Sequence, residues 1–350
     1  MAALLCGFTM SAHRPGLTFG ADGKFKIVQF TDTHLRAFNV EEEKSAYERM
    51  GHVIDEEKPD LVLISGDVIT ARPAAPAWQK LVEFLDSKKT PWFIVFGNHD
   101  HQQDLTKAEM AAITVTGKYT LNTLNSRGEL ADIEIPVKSS KGKDIPFYVY
   151  GLDSHDFSDV VEDHGYDWFT PAQVQWLRDC CTKRTAKDGT IAPSLAFFHI
   201  PLREYIDAWS PCDNPREYYK PADAPTTATT GIRGESICCG GLNTGMFAAM
   251  RETGSVMGTF VGHDHNNDFI AVYYGIALGY GRFSGSNTVY NNLPQGARVF
   301  VVKEGQRAFE TWIREDGDRF TQHVLFDGKN LISAKRDRAA AYGVWSDIEW

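Results

Sequence analysis

Five short apolar runs in this chain each end in a residue able to bind a metal, and that arrangement limits the fold more than any other feature. They are KIVQFTDTH with Asp32 and His34, LVLISGD with Asp67, WFIVFGNHD with Asn98, His99 and Asp100, SLAFFHI with His199, and GTFVGHDH with His263, Asp264 and His265. Each run is largely β-branched, aliphatic or aromatic and opens into Gly, Asp, Asn or His, which reads as a buried strand leading into a loop. In open α/β sheets, ligands gather beyond the carboxyl ends of the strands, so five such endings can meet at one rim. Carboxylate, amide carbonyl and imidazole suit hard or borderline divalent cations, and an aspartate can bridge two of them.

A single D-x-H carries little information, since it recurs at Asp153 and His155. The order D-x-H, GD, GNHD, H, GHDH, each behind a strand, is far more specific. On these motifs, between about residues 25 and 268, the chain resembles the calcineurin-like metallophosphoesterases. The resemblance implies an α/β fold: a four-layer α/β/β/α sandwich with two mixed β-sheets and a dimetal centre at the sheet edge. It places Asp32, His34 and His265 on one metal, Asn98, His199 and His263 on the other, and Asp67 between them. It also implies hydrolysis of a phosphomonoester or phosphodiester by a metal-bridging hydroxide, with His99 as general acid. His99 follows the ligand Asn98 directly, and imidazole, with an ordinary pKa of about 6.5, suits proton donation near neutrality. Asp100 either fixes the His99 tautomer or caps the turn. Arg36 and Asn98 are candidate substrate contacts, and His101 reads as a solvated loop residue. Asp264, between two ligands, is expected to point away into a supporting role.

The NNDF after GHDH and the later GYGRFSG resemble a branch of the family near the purple acid phosphatases, where Asn267, Tyr280 and Arg282 would line the pocket. Purple acid phosphatases carry a tyrosine three residues after the bridging aspartate, and their first motif lacks the imidazole that His34 supplies. Thr70 occupies the tyrosine position here. The expected cofactors are therefore two divalent ions drawn from Mn, Fe or Zn, without a purple ferric centre.

No linker or charge block divides the 350 residues, so one metallophosphoesterase domain is expected over residues 21–330. Residues 1–20 and 331–350 read as tails, the second helical around Ala334–Tyr342. A formal charge of −10 argues against a dedicated nucleic-acid binder and favours a small-molecule phosphoester. A nuclease of the same superfamily and a non-catalytic metal-binding interaction module are the alternatives; the complete ligand set weighs against the second. No apolar run reaches the roughly 18 residues of a membrane span. MAALLCGFT reads equally as the end of a signal peptide or as an untidy tail, which slightly favours an extracytoplasmic location and leaves a cytoplasmic one open. The six cysteines lack CxxC spacing, so a zinc ribbon is not expected, while a disulfide among Cys212, Cys238 and Cys239 stays open. Oligomeric state is not legible.

Between the first motifs, helical spacing of Tyr47, Met50, Val53 and Ile54, then of Trp78, Leu81, Val82 and Leu85, predicts a β-α-β-α-β unit over residues 25–100 with a parallel sheet. Thr170, Pro171 and Gln173 predict a capped helix start. The Pro-, Gly- and Thr-rich stretch from Pro201 to Gly245 reads as a substrate-shaping loop. From Asp268 onward, alternation predicts antiparallel strands closing a second sheet.

Overall fold

The computed structural model describes residues 15–36, 40–160, 165–184, 189–213, 229–285, 290–317 and 319–333. The expected helix around Ala334–Tyr342 and the leader-like first nine residues lie outside them. The chain enters its first sheet at β1 (Leu17–Thr18), which pairs with Val137 and Lys138. Alternation then sets the layering. In β2 (Lys24–Phe30), Phe25 and Ile27 pack into a cluster between two sheets, whereas Val28 and Phe30 pack against helices on the other face. β3 (Leu61–Ser65) repeats the pattern: Leu61 and Leu63 point between the sheets, Val62 and Ile64 toward the helices. Period-two side-chain alternation is what allows one strand to serve both layers.

The helix faces follow from the spacing. α1 (Val40–Glu57) buries Ala46, Tyr47, Met50, Val53 and Ile54, and α2 (Ala74–Ser87) buries Trp78, Leu81, Val82 and Leu85. Together with β4 (Trp92–Val95) they complete the parallel unit β2–β3–β4. After α3 (Lys107–Thr114), β5 (Ile133–Lys138) and β6 (Phe147–Gly151) form an antiparallel pair. α4 (Pro171–Lys183) opens on a reciprocal capping box between Thr170 and Gln173 with Pro171 in the first turn. β7 (Ser194–Phe197) and β9 (Val256–Val261) run parallel. Between them lie α5 (Glu204–Asp213), β8 (Thr229–Thr230) and α6 (Met246–Thr253), so the expected loop is interrupted by ordered elements.

The strands after Asp268 divide between the two sheets instead of closing one. β10 (Ile270–Tyr273) and β11 (Ile276–Tyr280) join the eight-stranded sheet, ordered β1-β5-β6-β7-β9-β11-β10-β8, with β11 parallel to β9. β12 (Gly296–Lys303), β13 (Phe309–Glu315), β14 (Arg319–Phe326) and β15 (Leu331–Ser333) extend the seven-stranded sheet, ordered β15-β14-β13-β12-β2-β3-β4. β11 is buried along its whole length, and such a strand fits an interior parallel position better than an edge. The two sheets meet through Phe197, Phe260, Phe300 and Phe309, with α1–α3 outside one sheet and α4–α6 outside the other. This is a four-layer α/β/β/α sandwich. Among the described residues, no helix is long and apolar enough to cross a membrane.

Candidate metal centre

All five motif-bearing strands run parallel to a neighbour within their sheets, so their carboxyl ends share one rim. β2 delivers Asp32 and His34, β3 Asp67, β4 Asn98, β7 His199, and β9 His263 and His265. The turns that follow are unusual: Asp32, His34, Asp67 and His263 have φ of 52°, 40°, 51° and 77°. Left-handed backbone is uncommon for residues with a Cβ and clusters at functional sites. Two glycines make room for the result. A Cβ on Gly97 would lie 2.3 Å from Asp67 Oδ1 and 2.8 Å from His199 Cδ2. On Gly66, itself at φ +94°, it would lie 2.3 Å from His199 Nδ1.

Two groups of donors result. Ligand atoms of Asp32, His34, Asp67 and His265 lie within 4.8 Å of one another, as do those of Asp67, His199 and His263. Asp67 belongs to both: its Oδ2 is 3.7 Å from His34 Nε2 and 3.3 Å from His199 Nε2. Asn98 joins the second group, with Oδ1 3.1 Å from His199 Nε2. Asp32 Oδ1 is 3.3 Å from His265 Nε2, which in turn is 3.3 Å from His34 Nε2. Hydrogen bonds aim the rings. His199 Nδ1 donates to the Ser65 carbonyl at 2.8 Å and His265 Nδ1 to the Tyr290 carbonyl at 2.9 Å, which turns each Nε2 inward. Thr31 Oγ1 donates to Asp32 at 2.7 Å, and the His263 amide donates to both its oxygens at 3.1 Å.

These seven side chains, none more than 6% exposed, fit divalent cations better than one another. Burial pushes His34 down to about 4 and His263 down to about 3, which makes both neutral lone-pair donors. Burial also opposes charge on His199, but the Asp67 carboxylate and its hydrogen bond hold that imidazole at about 10. Conversely, His199 holds Asp67 well below the usual carboxylate range although burial works against it. The buried Nε2 of His263 finds no hydrogen-bond partner among the described residues. Oxygen and imidazole donors converging without counter-ligands match a pair of borderline cations sharing one carboxylate.

His99 belongs to neither group. Its ring is half-buried, lies 5.7 Å from that of His34, and its Nδ1 is 2.7 Å from Gln102 Oε1. Asp100 therefore does not orient it. The Asp100 carboxylate instead accepts from the amides of Val68 at 2.8 Å, Ile69 at 3.1 Å and Gly97 at 2.7 Å, joining the loops after β3 and β4. Of the two readings of Asp100, the geometry selects the turn cap, and burial with the nearby Asp67 charge pushes its carboxyl up to about 7. Asp264 turns away as expected, accepting from Tyr280 Oη at 2.6 Å and from the Cys238 amide.

Three expected pocket residues are occupied elsewhere. Arg282 is buried, with its two terminal nitrogens engaged by Asp268, Glu315 and the Pro294 carbonyl and its Nε buried without a partner among the described residues. Asn267 accepts from the amides of Gly234 and Glu235, and Tyr280 is spent on Asp264. Arg36 is half-buried, with Nε donating to Thr70 Oγ1 at 3.3 Å. His101 keeps about a third of its side chain exposed, with Nδ1 3.5 Å from the Asp156 carboxylate. Cys180, Cys181, Cys238 and Cys239 are free thiols. Three aromatic neighbours escaped the motif reading: Tyr166 meets His263 edge-on at 4.3 Å, Tyr290 stacks on His265 at 4.5 Å, and Phe157 meets His99 at 6.4 Å.

The chain is 30% identical over 356 residues to the protein named probable inactive purple acid phosphatase 29 of Arabidopsis thaliana, covering 87% of this chain and 86% of that one. It is 28% identical over 342 residues to phosphatase DCR2 of Saccharomyces cerevisiae, covering 89% of this chain and 56% of the relative. Among solved structures, a dimetal phosphatase from Danio rerio shares the fold with a TM-score of 0.58 at 13% identity, over 87% of this chain and 99% of that one. The family described as calcineurin-like phosphoesterase matches residues 25–267. On that match and the buried Asp/His cluster, the chain belongs to the calcineurin-like phosphoesterases and is a metal-dependent hydrolase of phosphoric ester bonds.

Proposed function

We propose that this protein is a dinuclear hydrolase of small-molecule phosphomonoesters or phosphodiesters, with His99 as the proton donor to the leaving alkoxide. The position of His99 carries this reading: it is the imidazole of the GNHD turn, adjacent to a donor, outside both ligand groups and reaching solvent. Asp32, His34 and His265 would hold one ion, Asn98, His199 and His263 the other, with Asp67 shared. Two Mn, Fe or Zn ions suit that donor set. When bound, such a pair neutralises phosphoryl charge and makes water a competent nucleophile at neutral pH.

The residues of the chain supply the remainder. In hydrolysis water adds to phosphorus, the P–O ester bond breaks, and the departing oxygen takes a proton to leave as the alcohol. His99 is placed to give that proton, with Gln102 at Nδ1 fixing the ring and leaving Nε2 for the substrate side. Its main chain is fixed as well, since the His99 amide donates to Asp67 Oδ1 at 2.8 Å. Asp100 ties the two loops that carry Asp67 and Asn98, so donor spacing survives substrate turnover. Arg36 lies two residues beyond the DTH turn, with the Thr70 bond directing its guanidinium.

Reconstitution with Mn, Fe(II) or Zn, followed by elemental analysis and turnover of p-nitrophenyl phosphate and its bis-ester, tests the proposal. We expect close to two metals per chain and metal-dependent hydrolysis. A protein that fills both sites and hydrolyses neither ester would contradict it. The name of the Arabidopsis relative describes that protein; the complete donor set of this chain supports activity here.

A further inference from the structure

The hairpin after β6 sets two aromatic rings beside the metal centre. Phe157 and Tyr166 pair across an antiparallel bridge, and their rings stack at 5.4 Å with 28° between planes. Tyr166 meets His263 edge-on, while Phe157 meets His99 edge-on. The pair therefore spans from the proposed proton donor to a histidine of the second ligand group. Its base is anchored. Ser158 donates to the Gly165 carbonyl and Asp167 to the Asp156 carbonyl, each at 3.0 Å. The Asp156 carboxylate holds Lys107 of α3 at 2.6 Å and sits beside His101, two residues past His99.

Phe157 nevertheless remains 39% exposed. A scattered surface phenylalanine needs no explanation. A phenyl ring anchored by a hairpin and an ion pair, yet left in water at the edge of a buried polar centre, has an unfilled apolar contact. Two neighbouring basic side chains offer little competition for a ligand: Lys107 is taken by Asp156, and Arg36 is directed to Thr70.

We infer that Phe157 and Tyr166 form an aromatic shelf that receives the alcohol part of the substrate, and that the enzyme selects phosphoesters whose leaving group carries a planar ring. This rests on the phosphoesterase reading with His99 as proton donor. The leaving oxygen must come within hydrogen-bond reach of His99, and whatever that oxygen carries then extends along Phe157. Offset or edge-on contact with a ring rewards a flat aromatic group over an alkyl chain of similar size. Tyr290 packs on His265, whereas Phe157 packs on His99, so Phe157 is the ring beside the leaving oxygen.

The test compares benzyl phosphate with n-butyl phosphate, whose alcohols leave with similar difficulty, on the metal-loaded wild type, Phe157→Ala and Phe157→Trp. Binding of benzylphosphonate and n-butylphosphonate to the same three proteins is measured by calorimetry. The wild type should favour the benzyl ester by about tenfold in kcat/KM, with tighter binding of the benzylphosphonate. Phe157→Ala should bring both ratios toward one, mainly through KM, and Phe157→Trp should keep them. No ring preference in the wild type, a preference that survives Phe157→Ala, or a Trp variant that behaves like Ala would each overturn the shelf. If neither ester is hydrolysed, the monoesterase form of the phosphoesterase reading fails, while the phosphonate ratio still decides whether the shelf exists.

Discussion

The amide of His99 donates to Oδ1 of Asp67 at 2.8 Å, so the carboxylate common to both ligand groups also fixes the turn that carries the non-ligating histidine. One aspartate thus joins the two donor groups and positions the His99 turn beside them. Because the bond uses the main chain, truncating the His99 side chain leaves it intact, whereas removing Asp67 loses both functions.

The absence of a tyrosine ligand should be visible. The Thr70 hydroxyl accepts from Arg36 and cannot supply the phenolate charge transfer of a purple ferric site. Metal-loaded protein should show close to two metals per chain and no intense visible band. A strong purple absorption, or binding that saturates at one ion, would count against the proposed centre.

Space is as restrictive as ligand chemistry. A methyl on Gly97 would collide with both Asp67 and His199, neither of which can retreat from a fully buried site. Gly97→Ala should lower metal content below two and cost about 10²-fold or more in kcat/KM, as expected when reacting groups shift by about an ångström. Retention of both ions with near-normal turnover would show that the packing is looser than described.

The five strand ends and the two amphipathic helices were legible because each depends on spacing within about ten residues. Arg282 was not: its partners Asp268 and Glu315 sit 14 and 33 residues away, and only the fold shows that they consume its charge. Asp100 posed the same difficulty, since adjacency to His99 suggested a ring partner while the carboxylate turns to Val68, Ile69 and Gly97. Phe157 and Tyr166 lie nine residues apart in an irregular segment without periodicity, and become neighbours only through a single bridge. The division of β10–β15 between two sheets depends on pairing partners far away in sequence, which alternation does not encode.

One half-buried acid outside the centre gives a pH signature. Burial, with the Asp153 carboxylate nearby, pushes Asp132 up to about 6. Its folded pKa lies above the ordinary aspartate value, so its contribution to stability is fully present below about pH 4 and is lost as pH rises through about 6. Asp132→Asn keeps an oxygen for the Asp153 amide without the charge. Thermal melting should show the variant gaining on wild type between pH 5 and pH 8. A constant or shrinking difference would refute the assignment.

Substrate class should follow charge. With a formal charge of −10, hydrolysis of p-nitrophenyl phosphate or its bis-ester should greatly exceed cleavage of DNA or RNA at physiological salt. Robust nuclease activity with negligible small-ester turnover would favour the nuclease alternative.

The most direct measurement is kcat together with metal stoichiometry for His99→Ala and Asp67→Ala on an alkyl and an aryl phosphate. His99→Ala should keep both metals and lose roughly 10²–10⁴-fold on the alkyl ester. It should lose far less on a p-nitrophenyl ester, whose leaving group departs without a proton. Asp67→Ala should lose metal and fail on both. If His99→Ala loses metal, or is equally impaired on both esters, His99 is not the proton donor.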